Sequence, residues 1–454
     1  MKLLNARVQF NPKIPVYSAQ PQPVRFKIRD RHFVLDANSL ALWELDHPEE
    51  KIPLSTLKPQ FPLIFPRSRA LCLEATTACN FSCKYCFAAS YENGLKMSPS
   101  TAKAAIKMLL PPPQEKSPPN MVGFFGGEPL LNWPLIAEIV PWASKLYRRN
   151  GIRFSVTTNG SLVTSERAAF LRKNNFSLIV SLDGPREIHD EMRRTKRDEP
   201  TWETVMEGLR VLSEHGLAEA TALRATFVPG KEHLFERVSF LNELCDEGLA
   251  GMVAVEPAVL SESHCQRNAR GYREREVDAL EEQYLRVADW GIERLKNGRP
   301  FRFKNLQVVL QRLLWAQQHC TECGAGVGYV SVSPTEEIFA CHRINRGRIG
   351  SLALGGIDEQ LRAPWIENRF YRSKVCCRCG IRFICGGGCR EASLSAGLGL
   401  TKPHKPTCRF MWLFIKAAVW IIANAPMDKL KEVIPDPWME RTSACPVAGN
   451  RRNR

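Results

Sequence analysis

The sequence predicts an α/β protein built on a parallel sheet covered by helices, and three observations carry that reading. Between residues 71 and about 260, short β-like runs alternate with helical stretches, the order that produces parallel strands with crossover helices. Several of the runs end in turn-forming pairs, Gly126-Gly127, Asn159-Gly160 and Asp183-Gly184. Cysteines gather in two groups at metal-ligand spacings, one just after the first run and one between residues 320 and 408.

The elements follow in order. Phe26 to Ile28 and His32 to Leu35 read as short strands. The main strand-like runs are Leu71 to Ala75, Met121 to Phe125, Ile152 to Thr157, Ser177 to Leu182, Ala222 to Val228 and Gly251 to Val255. Between them the first helix opens at Ser98 with Pro99 in its first turn, where the missing N–H costs nothing. Further helices cover Leu135 to Tyr147, Ser165 to Lys173, Thr204 to Glu214 and Phe235 to Cys245, and the Pro-rich stretch 111–120 is a loop. The apolar run Phe410 to Ala423 is shorter than the roughly 20 residues of a membrane span and reads as a buried helix.

At 454 residues the chain has room for two or three cores, and 44% apolar with 24% charged residues is an ordinary globular balance. Sixteen cysteines at clustered spacings suit reduced thiolates better than a disulfide scaffold. Residues Met1 to Arg7 lack the apolar region of a signal peptide, so a cytoplasmic protein with no membrane association is expected. A net charge of +16 suits an acidic partner, but no nucleic-acid-binding motif accompanies it, and no nucleic-acid role is expected.

Cys79, Cys83 and Cys86 stand in the order C-x3-C-x2-C on one short segment after the first strand. Three thiolates so placed can hold three corners of a four-iron cluster and leave the fourth iron open to a ligand. A structural zinc site is the alternative, but it closes with a fourth Cys or His nearby, and none follows at such spacing. With Tyr85 before the last cysteine, the segment resembles the signature loop of the radical S-adenosylmethionine (SAM) enzymes. The resemblance implies a partial (β/α)6 barrel, a [4Fe-4S] cluster that chelates SAM, and reductive cleavage to a 5′-deoxyadenosyl radical. It further implies that Gly126, Gly127, Glu128 and Pro129 position SAM, with Asn159 and Ser181 on later strand ends; for Asn159 and Ser181 a purely structural role is an equal explanation, and for Asp183 turn formation is the stronger one. Arg224 could meet the SAM carboxylate or form an ion pair inside the barrel.

The second constellation contains Cys320, Cys323, Cys341, Cys376, Cys377, Cys379, Cys385, Cys389 and Cys408. Its order is similar to the SPASM domain, the cysteine-rich extension of radical SAM enzymes that act on peptides and proteins. That resemblance implies two auxiliary [4Fe-4S] clusters, Cys320, Cys323, Cys341 and Cys389 holding one, Cys376, Cys379, Cys385 and Cys408 the other, and Cys377 spare. A zinc ribbon is the alternative. The chain departs from the pattern in the close Cys320/Cys323 pair and in Glu336, where a glycine is usual before Cys341. The Gly386-Gly387-Gly388 run suits backbone amides wrapped around an iron–sulfur core. Cys72 and Cys245 sit in apolar segments and read as core residues.

His342 follows Cys341 where sulfatase-maturing relatives have an aspartate, and an imidazole there could equally serve as a base or as a supporting hydrogen-bonding residue. The chain therefore looks more like maturases of ribosomally made peptides, which form C–S or C–C cross-links; oxidation of a Ser or Cys side chain to formylglycine is the second reading, and a multi-cluster electron carrier or zinc-bearing interaction protein the third. Seven Lys or Arg residues against Asp30 alone precede residue 32, a basic edge suited to an acidic leader of a precursor peptide. A one-electron reductant such as flavodoxin or ferredoxin is the other expected partner. Leu35 to Trp43 looks like the strand-to-helix start of the small domain that precedes the barrel in such peptide maturases. The resulting domain plan is 1–66 small N-terminal domain, 67–300 partial barrel, 301–426 SPASM-type domain and 427–454 tail.

Overall fold

The computed structural model describes residues 2–4, 23–37, 39–51, 69–88, 93–112, 118–148, 151–258, 270–319, 323–343, 347–367 and 373–434. Two sheets organise them. The smaller is antiparallel, with β1 (Lys2–Leu3), β2 (Val24–Ile28), β3 (Arg31–Leu35) and β4 (Leu42–Leu45) in the order β1-β4-β3-β2. The expected helix start after Leu35 is instead a tight connection into β4. Asp36 accepts hydrogen bonds from the Ser39 backbone N–H at 2.8 Å and the Ser39 hydroxyl at 2.5 Å, and Leu40 is left-handed at φ 60°. A side chain that closes its own turn competes with a helix, and the chain reverses.

The larger sheet has ten strands. β5 (Ala70–Thr76), β6 (Asn120–Gly126), β7 (Ile152–Thr158), β8 (Ser177–Ser181), β9 (Thr221–Phe227) and β10 (Met252–Pro257) lie parallel in sequence order. Each matches its sequence-predicted run to within one or two residues. On the far side of β5 the sheet continues with β11 (Tyr329–Val332), parallel to β5, then β12 (Glu337–Phe339), β13 (Arg348–Ser351) and β14 (Gly356–Ile357), all antiparallel. The barrel and the cysteine-rich region thus share one hydrogen-bonded sheet across residue 300.

Alternation along the strands divides two environments. Val122, Phe124, Val156, Val180, Leu223 and Ala225 are buried. The alternate positions, among them Phe125, Thr157, Arg224, Thr226 and Glu256, line a cavity at the C-terminal strand ends, where parallel sheets gather their reactive groups.

The helix Lys405–Asn424 is long and apolar enough to cross a membrane by length and composition, yet ten of its residues are buried in the fold. It packs against the helices Glu281–Lys296 and Lys304–Leu314. The small sheet docks on the same helix: Phe26 meets Trp412 edge-on at 6.0 Å, and Arg29 and Arg31 lie over Trp420 at 5.0 and 5.3 Å. At its edge Val24 lies so close to Gly380, between Cys379 and Cys385, that a Cβ there would come within 1.8 Å of it.

Candidate active site

The Cys79–Cys86 loop leaves the C-terminal end of β5 and is held by backbone bonds to a segment far away in sequence. Ser82 N–H donates to the Arg194 carbonyl at 2.7 Å and Lys84 N–H to the Met192 carbonyl at 2.9 Å, with a Phe81–Thr195 bridge between. The three thiols line the cavity. Burial pushes the Cys79 and Cys83 thiols up to about 12, with the neighbouring thiols adding to the rise, so a positive charge must arrive before they ionise. Phe81 N–H points at Cys79 Sγ at 3.4 Å and Arg193 reaches Cys83 Sγ at 3.8 Å, the donors that an anionic iron–sulfur centre uses.

Gly126 and Gly127 end β6 against this loop. A Cβ on Gly126 would lie 2.1 Å from the Thr76 carbonyl oxygen, and one on Gly127 2.2 Å from that of Ala78. The missing side chains let Gly127 N–H bond Thr76 O at 2.9 Å and Glu128 N–H bond Ala78 O at 2.8 Å. The close approach is to the cysteine loop itself, while both glycines also line the cavity.

Glu128 is fully buried. One carboxyl oxygen accepts from Leu130 N–H at 3.0 Å and the Thr158 hydroxyl at 2.7 Å, and the other from Asn159 N–H at 2.7 Å. Burial raises its pKa to about 7 against those bonds. The Glu128 carboxylate therefore fixes the end of β7 beside the cavity, and Pro129 opens a 3-10 turn behind it; the cavity wall contains neither. Asn159, which does line it, ties β7 to the cysteine loop through Asn80 at 2.9 Å. Ser181 lines it from the end of β8.

Beneath the loop lies a buried charged hub. Asp183 pairs with Arg193 at 3.1 Å and accepts from the Tyr85 hydroxyl at 2.5 Å and Thr226 N–H at 2.9 Å. Arg193, with Arg237, outweighs burial and holds the Asp183 carboxyl below its usual range. Tyr85 is so engaged that its ring, 5.3 Å from the Arg193 guanidinium, carries the loop on an ion pair. His189 accepts from Asp183 N–H through Nδ1 at 3.2 Å and meets the Thr201 hydroxyl through Nε2 at 3.0 Å.

The cavity encloses about 950 Å³ of space, part of it open to solvent, within the range of small-molecule sites of about 300–1,000 Å³. Its far wall carries Arg224, Glu256, Arg343 and Glu391. Burial and the neighbouring Arg343 hold the Arg224 pKa down at about 10. His342 lies outside this wall. Its ring packs against Phe125 at 4.4 Å with the two planes tilted by 60°, and its Nδ1 shares a 2.5 Å hydrogen bond with the Tyr329 hydroxyl; burial drives its pKa well below the usual histidine range. Phe125 separates it from the cavity, a poor position for a base acting on bound substrate.

The C-terminal cysteines fall into two neighbourhoods. Cys341 and Cys389 each feel the charge of Cys323 and Cys341 that of Cys389, with Arg343 N–H 3.5 Å from Cys341 Sγ. Cys408 feels that of Cys376 and Cys379, while Cys385 ends the short helix that follows Cys379. Cys320 lies outside the described residues. Cys377 is directed at its own loop, 3.6 Å from the Lys374 carbonyl. Among the described residues, no three Cys, His, Asp or Glu side chains converge on the point a single ion would occupy. A four-iron cluster takes one thiolate per iron over a larger body, and the three-cysteine loop with its N–H and guanidinium donors fits such a group.

Residues 73–233, which contain the cysteine loop, Gly126-Gly127 and the Asp183 hub, match the profile of the Radical SAM superfamily. The chain carries a radical SAM domain. The chain also aligns with a serine-type anaerobic sulfatase-maturating enzyme of Klebsiella aerogenes, 25% identical over 77% of this chain and 85% of that protein. The radical SAM cyclopropyl synthase TigE of Paramaledivibacter caminithermalis is 24% identical over 77% of this chain and 74% of its own. An uncharacterized protein of Methanocaldococcus jannaschii is 32% identical over 32% of this chain, which spans 49% of that protein's length, and 41% of a sulfatase-maturating enzyme of Bacteroides thetaiotaomicron. In fold the chain is similar to native anSMEcpe with bound AdoMet, TM-score 0.62 at 19% identity over 78% of this chain and 98% of the other. It is similar as well to Streptococcus suis SuiB bound to S-adenosylmethionine, TM-score 0.51 at 16% identity over 72% and 74%.

Sequence reasoning missed two members of the radical SAM domain's surroundings. Arg193 stands in the basic run Arg193-Arg194 at a helix end, which reads as solvated surface, yet it is 7% exposed. Its signal was the acidic partner ten residues earlier in Asp183-Gly184. Glu391, 4% exposed in the helix Arg390–Ser395, gave no signal beyond its place after Cys389.

Proposed function

We propose that this chain is a radical SAM peptide maturase that abstracts hydrogen from a precursor peptide and forms a C–S or C–C cross-link. The observation that carries it is the meeting, in one cavity, of the Cys79/Cys83/Cys86 loop with Arg343 and Glu391 from the cysteine-rich region, so that reactive centre and C-terminal extension enclose the same space. Cys79, Cys83 and Cys86 would hold the SAM-binding [4Fe-4S] cluster; Gly126, Gly127, Asn159, Ser181 and Arg224 would border SAM. When bound and reduced, that group supplies a 5′-deoxyadenosyl radical. The chain's own residues position the loop through Tyr85, Asp183 and Arg193, and limit water by ringing the cavity with Phe81, Phe87 and Phe125.

Two auxiliary four-iron clusters would sit at Cys323, Cys341 and Cys389 with Cys320, and at Cys376, Cys379, Cys385 and Cys408. The small sheet would receive the peptide leader at β2, an edge strand that carries exposed Arg25 and Lys27. The relative TigE, a radical SAM cyclopropyl synthase, supports the bond-forming reading. The sulfatase-maturating relatives support a second reading, oxidation of a Ser or Cys side chain in a protein. A cytoplasmic setting, a flavodoxin- or ferredoxin-like electron donor, and no partnership with nucleic acid or membrane complete the proposal.

The test is anaerobic reconstitution with SAM and dithionite, first alone and then with Cys-containing and Ser-containing synthetic peptides. Production of 5′-deoxyadenosine with a peptide that loses two hydrogens and resists carbonyl reagents supports cross-linking. A product that reacts with carbonyl reagents supports the second reading. No 5′-deoxyadenosine from iron-replete protein would contradict both.

A further inference from the structure

Glu391 brings an unsatisfied carboxylate oxygen to the cavity wall. It is 4% exposed, its Oε1 accepts from the Ser395 hydroxyl at 2.7 Å, and its Oε2 has no hydrogen-bond partner. A buried carboxylate oxygen left without a donor is costly, and so marks a place where a ligand completes the site. Beside it stands Arg343, which pairs with Glu256 at 3.4 Å and faces Phe87 at 5.9 Å, on the side of the cysteine loop. Acid, base and acid therefore line the cavity in Glu256, Arg343 and Glu391.

The balance of charge narrows the ligand. Glu256 is already engaged by Arg343, while Arg193 is paired with Asp183 and Arg224 adds another cation to the wall. A cationic side chain would meet those guanidinium groups, and an anionic one would meet Glu391. A neutral amide satisfies both ends, offering N–H to the carboxylate and C=O to a guanidinium.

We propose that Glu391 and Arg343 form an amide clamp that holds the substrate peptide beside the Cys79–Cys86 loop, Glu391 accepting an amide N–H and Arg343 donating to an amide carbonyl. The clamp rests on the peptide-maturase reading and makes Glu391 a specificity-determining residue of it. The amide is either a backbone unit or an Asn or Gln side chain.

The test is binding without turnover, by fluorescence anisotropy of labelled synthetic peptides with a central Ser or Cys, on cluster-replete protein with SAM and no reductant. Glu391→Ala is expected to weaken the wild-type affinity by about tenfold or more, and Glu391→Gln, which keeps an acceptor oxygen, to recover most of it. Ser395→Ala, which frees the carboxylate without removing it, should give an intermediate loss. N-methylation of backbone amides next to the central residue should reproduce the loss in the wild type and add nothing in Glu391→Ala if the clamp holds backbone; replacement of Asn or Gln should do so if it holds a side chain. Unchanged affinity in a Glu391→Ala protein of wild-type iron content overturns the clamp. SAM cleavage on later reduction, read separately as 5′-deoxyadenosine, reports on the radical reading whichever way the clamp falls.

Discussion

Replacing Gly127 by alanine would drive a methyl group to 2.2 Å from the Ala78 carbonyl, and neither backbone can retreat without moving the cysteine loop. The expected result is selective. Gly127→Ala should lose about four irons per chain, those held by Cys79, Cys83 and Cys86, while the C-terminal cysteines keep theirs, as read by iron analysis after anaerobic reconstitution. Glu336 shows the opposite economy at a single residue. It takes a left-handed turn at φ 67° between β11 and β12 where glycine would be the default, and its side chain accepts from the Thr101 hydroxyl at 3.1 Å. That bond to a barrel helix explains why the sequence carries Glu at a position that otherwise reads as glycine.

At the scale of elements, the helix Arg186–Met192 is what ties β8 to the cysteine loop, and His189 is its anchor. With Nδ1 accepting from Asp183 N–H, the imidazole is neutral with its proton on Nε2, facing Thr201. Burial lowers its pKa to about 4, with Asp183 opposing the shift, against about 6.5 in an unfolded chain. A depressed pKa means that the unfolded state takes up the proton first, so stability is complete above pH about 6.5 and falls as pH drops toward 4. The loss should reach about 2 kcal/mol near pH 5. Urea midpoints measured at pH 7 and pH 5 should show it in the wild type and show a much smaller change in His189→Asn, which keeps a polar partner without the titration. An equal pH dependence in both proteins would remove His189 as its source.

Across the whole molecule, what was legible in the sequence is what local chemistry determines. The six parallel strands declared themselves through apolar runs, three of which stop at Gly-Gly, Asn-Gly and Asp-Gly, and the cysteine loop through spacing alone. The extension β11 to β14 did not, because strands of two to four residues carry too little periodicity to separate from loop, and their order depends on β11 finding β5 more than 250 residues earlier in the chain. Leu35 to Trp43 misled because its resemblance to a strand-to-helix start gave no sign that the Asp36–Ser39 bonds close a turn. Arg193 and Glu391 were invisible for another reason: a charged residue reads as surface, and only tertiary structure reveals that it is buried beside a partner or a cavity. Glu128 was legible as a motif member but not in its task, since its three donors come from Leu130, Thr158 and Asn159, on two different elements.

The proposed division of metal between the three-cysteine loop and two C-terminal neighbourhoods is tested most directly by iron and acid-labile sulfide per chain after anaerobic reconstitution, in the wild type and in the triple variant Cys79→Ala/Cys83→Ala/Cys86→Ala. The expected counts are about 12 irons in the wild type and about 8 in the variant. About 4 irons in the wild type with zinc in the remainder, or a triple variant that loses none, would contradict it.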